Sequence, residues 1–242
     1  MKRDRYIVHY LAARARAEPI HLLLHYADVD YERHDLSMKE LASGERGKQF
    51  PSSQLPVLEI LTRDERPCIS QSGSIMRYLA REHGLVANDP VEAARQDAVF
   101  ELSQEFAKVN PMVNLWPKSE LAIQEFLNKG CGNGSGYPVQ PRLQAASQLL
   151  GENKFFSGND VEPCYADFNM WHYLDNLDSL IPDILKSMST SKQDLSNLSD
   201  WMLRIAQLPG VAQYLSTRPR GTDLGKTGTI IQESYKRHKP WD

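Results

Sequence analysis

The chain has 242 residues, 41% hydrophobic and 24% charged, with a net charge of -3. That make-up is globular and long enough for a core without disulfide staples, and it excludes bulk disorder and a global basic field for nucleic acid or membrane. No apolar run approaches the roughly 20 residues of a membrane span. The N-terminal apolar stretch is broken by His9, Arg14 and Arg16, unlike a secretory signal, and the three cysteines, Cys68, Cys131 and Cys164, are widely spaced with no CxxC, which argues against a disulfide framework or a zinc site. The cytoplasm is the expected location.

In chain order, Tyr6-Ile7-Val8-His9-Tyr10 is β-branched and aromatic and predicts a strand. Glu18-Pro19 opens a helix, with the proline near the first turn where a missing N–H costs little, and Ile20, Leu23, Leu24 and Ala27 supply its apolar face. Tyr31–Asp35 and Val57–Leu61 predict a second and a third strand, Thr62–Arg66 a hairpin turn, and Pro67–Ser70 a short fourth strand. Ser72 is the expected cap of a helix running through Ile75, Met76, Tyr78 and Leu79. The order is β-α-β, a variable stretch, then β-β-α, which suits parallel strands extended by an antiparallel hairpin.

His83-Gly84 to Pro90 reads as a linker. Beyond it the pattern is helical: about 91–109, 118–129, 142–151, 165–177, 194–207 and a short helix at 210–216. The glycine-rich stretch 130–136 with Pro138 and Pro141 predicts a flexible loop, and residues 222–242 a polar tail.

Three segments carry the chemistry. The first runs from Tyr10 through Leu11, Ala12, Arg14 and Arg16 to Glu18-Pro19-Ile20; the second is Gln54-Leu55-Pro56-Val57; the third is Ile69-Ser70-Gln71-Ser72 and the helix after it. In this order and spacing they resemble the thiol-binding domain of the cytosolic glutathione transferases, with the Tyr and the RxRAE run most like the sigma class and some alpha-class character in Glu18-Pro19-Ile20. The resemblance continues through Phe155–Asp160, Tyr165–Phe168 and Leu208–Leu215, and so covers about residues 5–220. It implies an α/β plus all-α fold: a thioredoxin-like glutathione-binding domain over 1-83, an all-helical domain over 91-221, and the tail at 222-242.

The resemblance also implies roles. Tyr10 is the expected catalytic residue: a free thiol with a pKa of about 8.5 is only about 3% thiolate at neutral pH, and a hydroxyl donating to the sulfur favours the charged nucleophile. Arg16 corresponds to an arginine pointing toward that thiolate, with Arg14 the other candidate for that role or for an ion pair with Glu18. The Leu55-Pro56 bond can be cis, and in that form the Leu55 backbone would pair with the cysteinyl part of glutathione like a short added strand. The N-terminus of the helix at Gln71-Ser72 suits the γ-glutamyl carboxylate. Lys48 is the choice for the glycyl carboxylate, with Arg46 in the same loop and Gln54 assisting, and Glu105 or Glu101 is the candidate to reach a partner subunit's glutathione. Leu11, Ala12, Met112 and Trp116 are the expected apolar wall for an electrophile, in a pocket between the two domains.

The activity so implied is conjugation of glutathione, as co-substrate, to small hydrophobic electrophiles in a detoxifying homodimer, with no metal required and no nucleic acid or membrane partner. Two alternatives remain beside it: a sigma-type prostaglandin-D isomerase, and a non-catalytic ligand-binding or crystallin-like protein of the same fold. Departures from the family pattern are Ala12, where many sigma members have a small polar residue; Ser52, where alpha-like members place an aromatic key; and Cys164, where the cap of the following helix has Ser or Thr, so that the reciprocal capping bond is expected to weaken at a cost of about 1 kcal/mol. The pair His21 and His25, four apart on one helix, has metal-binding spacing without an obvious acidic partner. The 130–136 glycines lack the lysine and strand of a phosphate loop, Lys236–Lys239 is a short basic run, and Cys68 is misplaced for a redox nucleophile.

Overall fold

The computed structural model describes residues 4–11, 14–36, 40, 50, 54–108, 139–181, 183–190 and 194–218. Two compact units divide them: the residues up to His83 joined by the helix that begins at Pro209, and Gly84–Leu208.

The first unit is built on a four-stranded sheet of β1 (Tyr6–Leu11), β2 (Tyr31–Leu36), β3 (Val57–Ile60) and β4 (Cys68–Ser70), in the order β2-β1-β3-β4. β1 runs parallel to β2 and antiparallel to β3, which runs antiparallel to β4. In β1, Tyr6, Val8 and Tyr10 are buried on one face, and His9 is buried on the other. The edge strand β2 is rich in charge (Glu32, Arg33, His34, Asp35), which discourages pairing with another chain.

A 3₁₀ turn at Ala15–Ala17 leads from β1 into α1 (Glu18–Tyr26), whose Pro19 sits in the first turn and whose Ile20, Leu22, Leu23 and Leu24 are fully buried. α2 (Ser72–Glu82) buries Ile75, Met76, Leu79 and Ala80, a helical stripe. The chain leaves α2 through Gly84 at φ +71, the left-handed conformation that glycine tolerates at a helix exit.

The second unit is helical: α3 (Pro90–Lys108), α4 (Val139–Leu150), α5 (Tyr165–Leu180), α6 (Ile184–Met188) and α7 (Ser196–Ala206). Asp89 starts α3 by accepting the N–H of Val91 (2.9 Å) and of Glu92 (3.0 Å), while Pro90 occupies a position whose N–H would have no helical partner. α3 and α5 are joined by the Tyr165 hydroxyl donating to Asp97 (2.6 Å) and by Phe100 against Tyr165, ring centroids 5.3 Å apart.

The start of α5 is a buried polar knot. Asp167 Oδ2 accepts the Cys164 N–H (2.8 Å), and Oδ1 accepts the Phe156 N–H (3.0 Å) and the Trp201 indole N–H (2.7 Å). The reciprocal capping box is present with the Cys164 sulfur on the N–H of Asp167, so replacing a hydroxyl by a thiol keeps the geometry of the box.

Within the span 91–221 read as helical, α8 (Pro209–Thr217) packs on α1 and so groups with the first unit. The two helices meet where Gly210 faces the His25 carbonyl; a Cβ at Gly210 would lie 2.0 Å from that oxygen, so only glycine permits the approach. Pro141, which by sequence belongs to a loop, lies in the first turn of α4, where a missing N–H is harmless. The expected helix at 118–129, the 130–136 loop and the 222–242 tail lie outside the described residues. Among the described residues no helix is long and apolar enough to cross a membrane.

Candidate functional site

Strand register gathers the candidate residues at one end of the sheet. His9 faces Val57, and Val57 faces Ser70. One step further along each strand come Tyr10, Pro56 and Gln71, so the end of β1, the start of β3 and the end of β4 share one border. At that border Leu55-Pro56 is cis, the condition for the Leu55 backbone to face a ligand. Pro56 is buried, Leu55 half-buried and Gln54 exposed.

The Gln71 side-chain amide donates to Gln54 Oε1 (2.9 Å), which ties the second and third sequence segments together directly. Gln71 has φ 72 and ψ 116, a backbone conformation that a non-glycine residue adopts only under constraint. It turns the chain from β4 into α2 within a single residue. The sequence assigns the cap of α2 to Ser72; in the structure Gln71 holds the cap position, without a side-chain capping bond, and Ser72 is the first helical residue. The first helical bond runs from Ile75 N–H to the Gln71 carbonyl (3.0 Å). The N–H groups of Ser72, Gly73 and Ser74 therefore have no acceptor within the helix and form an anion-favouring terminus.

Tyr10 is buried, with 7% of its surface exposed, and its hydroxyl oxygen accepts the main-chain N–H of Arg16 at 3.2 Å. Burial pushes the phenol pKa up, while the Arg16 N–H and the Arg16 charge pull it down; burial dominates, and the hydroxyl stays protonated at neutral pH. The donor and acceptor count is then specific. One lone pair of the oxygen is used by Arg16, and the single O–H proton is left to point at a third group. Of the two arginines in this turn, Arg14 is buried and Arg16 exposed, so Arg16 offers Tyr10 both a main-chain donor and a nearby charge. The main-chain role of Arg16 was not legible in the sequence, since every residue but proline carries such an N–H.

Leu11 ends β1 opposite Leu36 and is half-buried. Glu105 takes an ion pair from Arg142 of its own chain (2.8 Å). Ala12, Arg46, Lys48, Ser52, Met112 and Trp116 lie outside the described residues. His21 Nδ1 meets the Tyr31 hydroxyl (2.9 Å), and the His25 ring stacks on Tyr214 with centroids 4.6 Å apart, so both histidines are packed among aromatic rings. Among the described residues no group of three His, Cys, Asp or Glu side chains is placed to hold a metal ion.

Comparison with known proteins gives a consistent picture. Residues 7–81 match the family model of the glutathione S-transferase N-terminal domain, and residues 138–218 that of the glutathione S-transferase C-terminal domain. Hematopoietic prostaglandin D synthase of Gallus gallus is 30% identical over 216 residues, 89% of this chain and 97% of that protein. Glutathione S-transferase Mu 1 of Oryctolagus cuniculus is 29% identical over 215 residues, 86% of this chain and 89% of that protein. Among solved structures, the Onchocerca volvulus Pi-class glutathione S-transferase superposes with a TM-score of 0.72 at 24% identity, over 88% of this chain and 93% of that one. The rat hPGDS complexed with a quinoline superposes with a TM-score of 0.70 at 23% identity, over 89% of this chain and 98% of that one. These structures share the two-part architecture, thioredoxin-like and then helical.

Proposed function

The chain belongs to the glutathione S-transferase family and has glutathione transferase activity; we propose that Tyr10 activates the glutathione thiol in that reaction by donating its hydroxyl hydrogen to the sulfur, assisted by Arg16. The observation that carries this reading is the hydrogen bond from the Arg16 N–H to a buried, protonated Tyr10 hydroxyl at the border of the sheet shared with Leu55 and Gln71. A donor on the sulfur, with a guanidinium nearby, stabilises the thiolate over the thiol; lowering the thiol pKa by about two units corresponds to about 2.7 kcal/mol. The thiol proton goes to solvent, the thiolate sulfur forms a bond to an electrophilic carbon, and the leaving group departs with the electrons of the bond it breaks.

In this reading Leu55 and Pro56 line the cysteinyl part of glutathione, Gln71 and Ser72 hold the γ-glutamyl carboxylate at the start of α2, and Gln54 orients Gln71. Lys48 is the proposed partner of the glycyl carboxylate. Leu11, with Ala12, Met112 and Trp116, is the proposed apolar wall. The enzyme is further proposed to be a cytoplasmic homodimer of sigma type, a class reading supported by the Tyr10 and RxRAE pattern and by the likeness to hematopoietic prostaglandin D synthase.

The test is a titration of the glutathione complex, reading the thiolate absorbance in the ultraviolet against pH. The wild type is expected to show an apparent thiol pKa well below the free value of about 8.5, and Tyr10→Phe to move it back toward that value with little change in glutathione affinity. An unchanged pKa in Tyr10→Phe removes Tyr10 from the mechanism. A second reading, conversion of prostaglandin H2 to D2 by the same thiolate, is favoured by the name of that 30% identical relative. Product analysis with the endoperoxide separates it from general conjugation.

A further inference from the structure

The carboxylate of Glu18 is fully buried at the first residue of α1. Its Oε2 accepts the Tyr214 hydroxyl at 2.8 Å, and its Oε1 accepts the Arg218 guanidinium at 2.9 Å, both partners lying about 200 residues further along the chain. The Arg218 side chain is itself only 10% exposed. A buried carboxylate held by a nearly buried cation cannot move toward water without breaking the pair, so the pair fixes the backbone on both sides. On the Glu18 side that backbone is the turn carrying Arg16: the Glu18 N–H closes it by donating to the Arg14 carbonyl at 3.1 Å. Two residues before Glu18, the Arg16 N–H reaches the Tyr10 hydroxyl at 3.2 Å. That contact is already long, and a drift of about 0.3–0.5 Å in the turn takes it out of hydrogen-bonding range.

We propose that Glu18 is a positioning residue, clamped by Tyr214 and Arg218, that holds the 14–18 turn so that the Arg16 N–H stays on the Tyr10 hydroxyl. The inference rests on the thiolate-activating reading of Tyr10. It makes α8 and the residue after it a working part of the nucleophile's surroundings, although no atom of α8 is asked to touch glutathione. The other end of α1 is secured by the same helix, through Gly210 against the His25 carbonyl and the His25 ring on Tyr214. α1 is therefore seated on α8 at both ends, and its first residue, Glu18, carries that seating to the Arg16 turn.

The experiment uses the full chain and three variants, Tyr214→Phe, Arg218→Gln and Arg218→Lys, with glutathione and dinitrochlorobenzene as probes. In Tyr214→Phe the rising limb of kcat/KM against pH is expected to move up by about half a unit, with kcat below that limb falling about threefold, since half a pKa unit is a threefold change in thiolate. KM for glutathione stays within about twofold, because the cradle residues are untouched. Arg218→Gln shifts the limb further, and Arg218→Lys restores part of the shift. Hydrogen exchange at the Arg16 amide accelerates relative to the amides of β1 and β3. Variants that melt earlier but keep the wild-type pH limb and the wild-type Arg16 exchange overturn the proposal, leaving Glu18 a fold contact only. If Arg218→Gln does not fold, Tyr214→Phe, which removes one oxygen, decides alone. A wild type whose bound glutathione shows no lowered thiol pKa refutes the reading of Tyr10 instead, and the Arg16 exchange then reports separately on whether the clamp holds the turn.

Discussion

Removing the Asp167 side chain strips three buried donors of their acceptor at once: the main-chain N–H groups of Phe156 and Cys164 and the indole N–H of Trp201, at 3.0, 2.8 and 2.7 Å. Asp167 and Trp201 are both fully buried, so water cannot replace the carboxylate in place. Hydrogen bonds to a charged acceptor contribute about 1.5–3 kcal/mol each, which puts the gross loss at roughly 5–9 kcal/mol. Against this stands the cost of burying the carboxylate, visible in a pKa raised by desolvation despite those three donors. The net expectation for Asp167→Ala is a loss of about 3–6 kcal/mol, a large share of the roughly 5–15 kcal/mol that holds a domain. Asp167→Asn keeps one carbonyl oxygen for Phe156 and Trp201 but turns an NH₂ toward the Cys164 N–H, so it falls between wild type and alanine. Urea unfolding followed by tryptophan fluorescence measures both. A double-mutant cycle with Trp201→Phe sharpens the test, because Trp201 loses its acceptor already in Asp167→Ala, and the two changes are expected to be non-additive by at least about 1 kcal/mol. An alanine variant that loses less than about 1 kcal/mol, or an additive cycle, refutes the reasoning.

Gly210→Ala places a Cβ 2.0 Å from the His25 carbonyl oxygen and 2.8 Å from its carbon, both backbone atoms, so α8 must lift off α1; the expected loss is about 3 kcal/mol or more by urea unfolding, and a loss below about 1 kcal/mol shows that the helices do not pack this closely. His21 is buried and its pKa is lowered from 6.5 to about 3, first by desolvation and then by Arg33 and His25. Its folded pKa lies below its unfolded one, so the unfolded chain binds the extra proton between those values, and stability present above about pH 6.5 is lost as pH falls toward 3. The full window corresponds to about 5 kcal/mol, and in His21→Leu the slope of stability against pH between 6 and 4 is expected to drop by about 1.4 kcal/mol per unit; an unchanged slope refutes the assignment. Cys164→Ser puts a stronger acceptor opposite the Asp167 N–H and is expected to add about 0.5–1 kcal/mol, read as a higher melting temperature by calorimetry; a lower one shows that burying a hydroxyl there outweighs the better cap.

The strands were legible because their signal is local. Tyr6–Leu11, Tyr31–Leu36, Val57–Ile60 and Cys68–Ser70 each differ from the expected span by a residue at one end, since alternation and β-branched composition act within the strand itself. α5 and α7 were legible for the same reason at helical period. Pro141 shows a positional exception to a residue rule: its glycine- and proline-rich surroundings predict a loop, yet a proline in a first turn removes no helical bond. The five-residue α6 was missed because it is too short to show a period. The site divides in the same way. The resemblance to the glutathione transferases singles out Tyr10, Leu55-Pro56 and Gln71, and strand register puts them at one border of the sheet. The grip of Arg218 on Glu18 spans 200 positions and has no local signature at either end. Nor could residue types reveal that Arg16 contacts Tyr10 through its main chain.

That residue 10, and not 9 or 11, meets the Arg16 N–H follows from both faces of the sheet acting together. On one face Tyr6, Val8 and Tyr10 are buried, and Tyr6 meets Tyr78 of α2 edge-on at 6.5 Å. On the other, His9 carries a polar chain across three strands: Nδ1 to His34 at 3.0 Å, Nε2 to Glu59 at 3.0 Å, and Glu59 on to Arg66 at 2.9 Å, with the Phe50 ring 4.9 Å from the imidazole. A slip of β1 by one residue would exchange the faces. It would carry His9 into the apolar layer without its partners, leave Glu59 and His34 facing an aliphatic or aromatic side chain, and bring Tyr10 out of the core. Stranding the buried His9 imidazole costs about 1–3 kcal/mol, and the lost burial of the tyrosines adds to it. An all-apolar strand would resist such a slip far less, since either register would bury similar surface. The polar ladder on the far face is thus part of what sets the Tyr10 hydroxyl at the border of the sheet, through residues that never approach it.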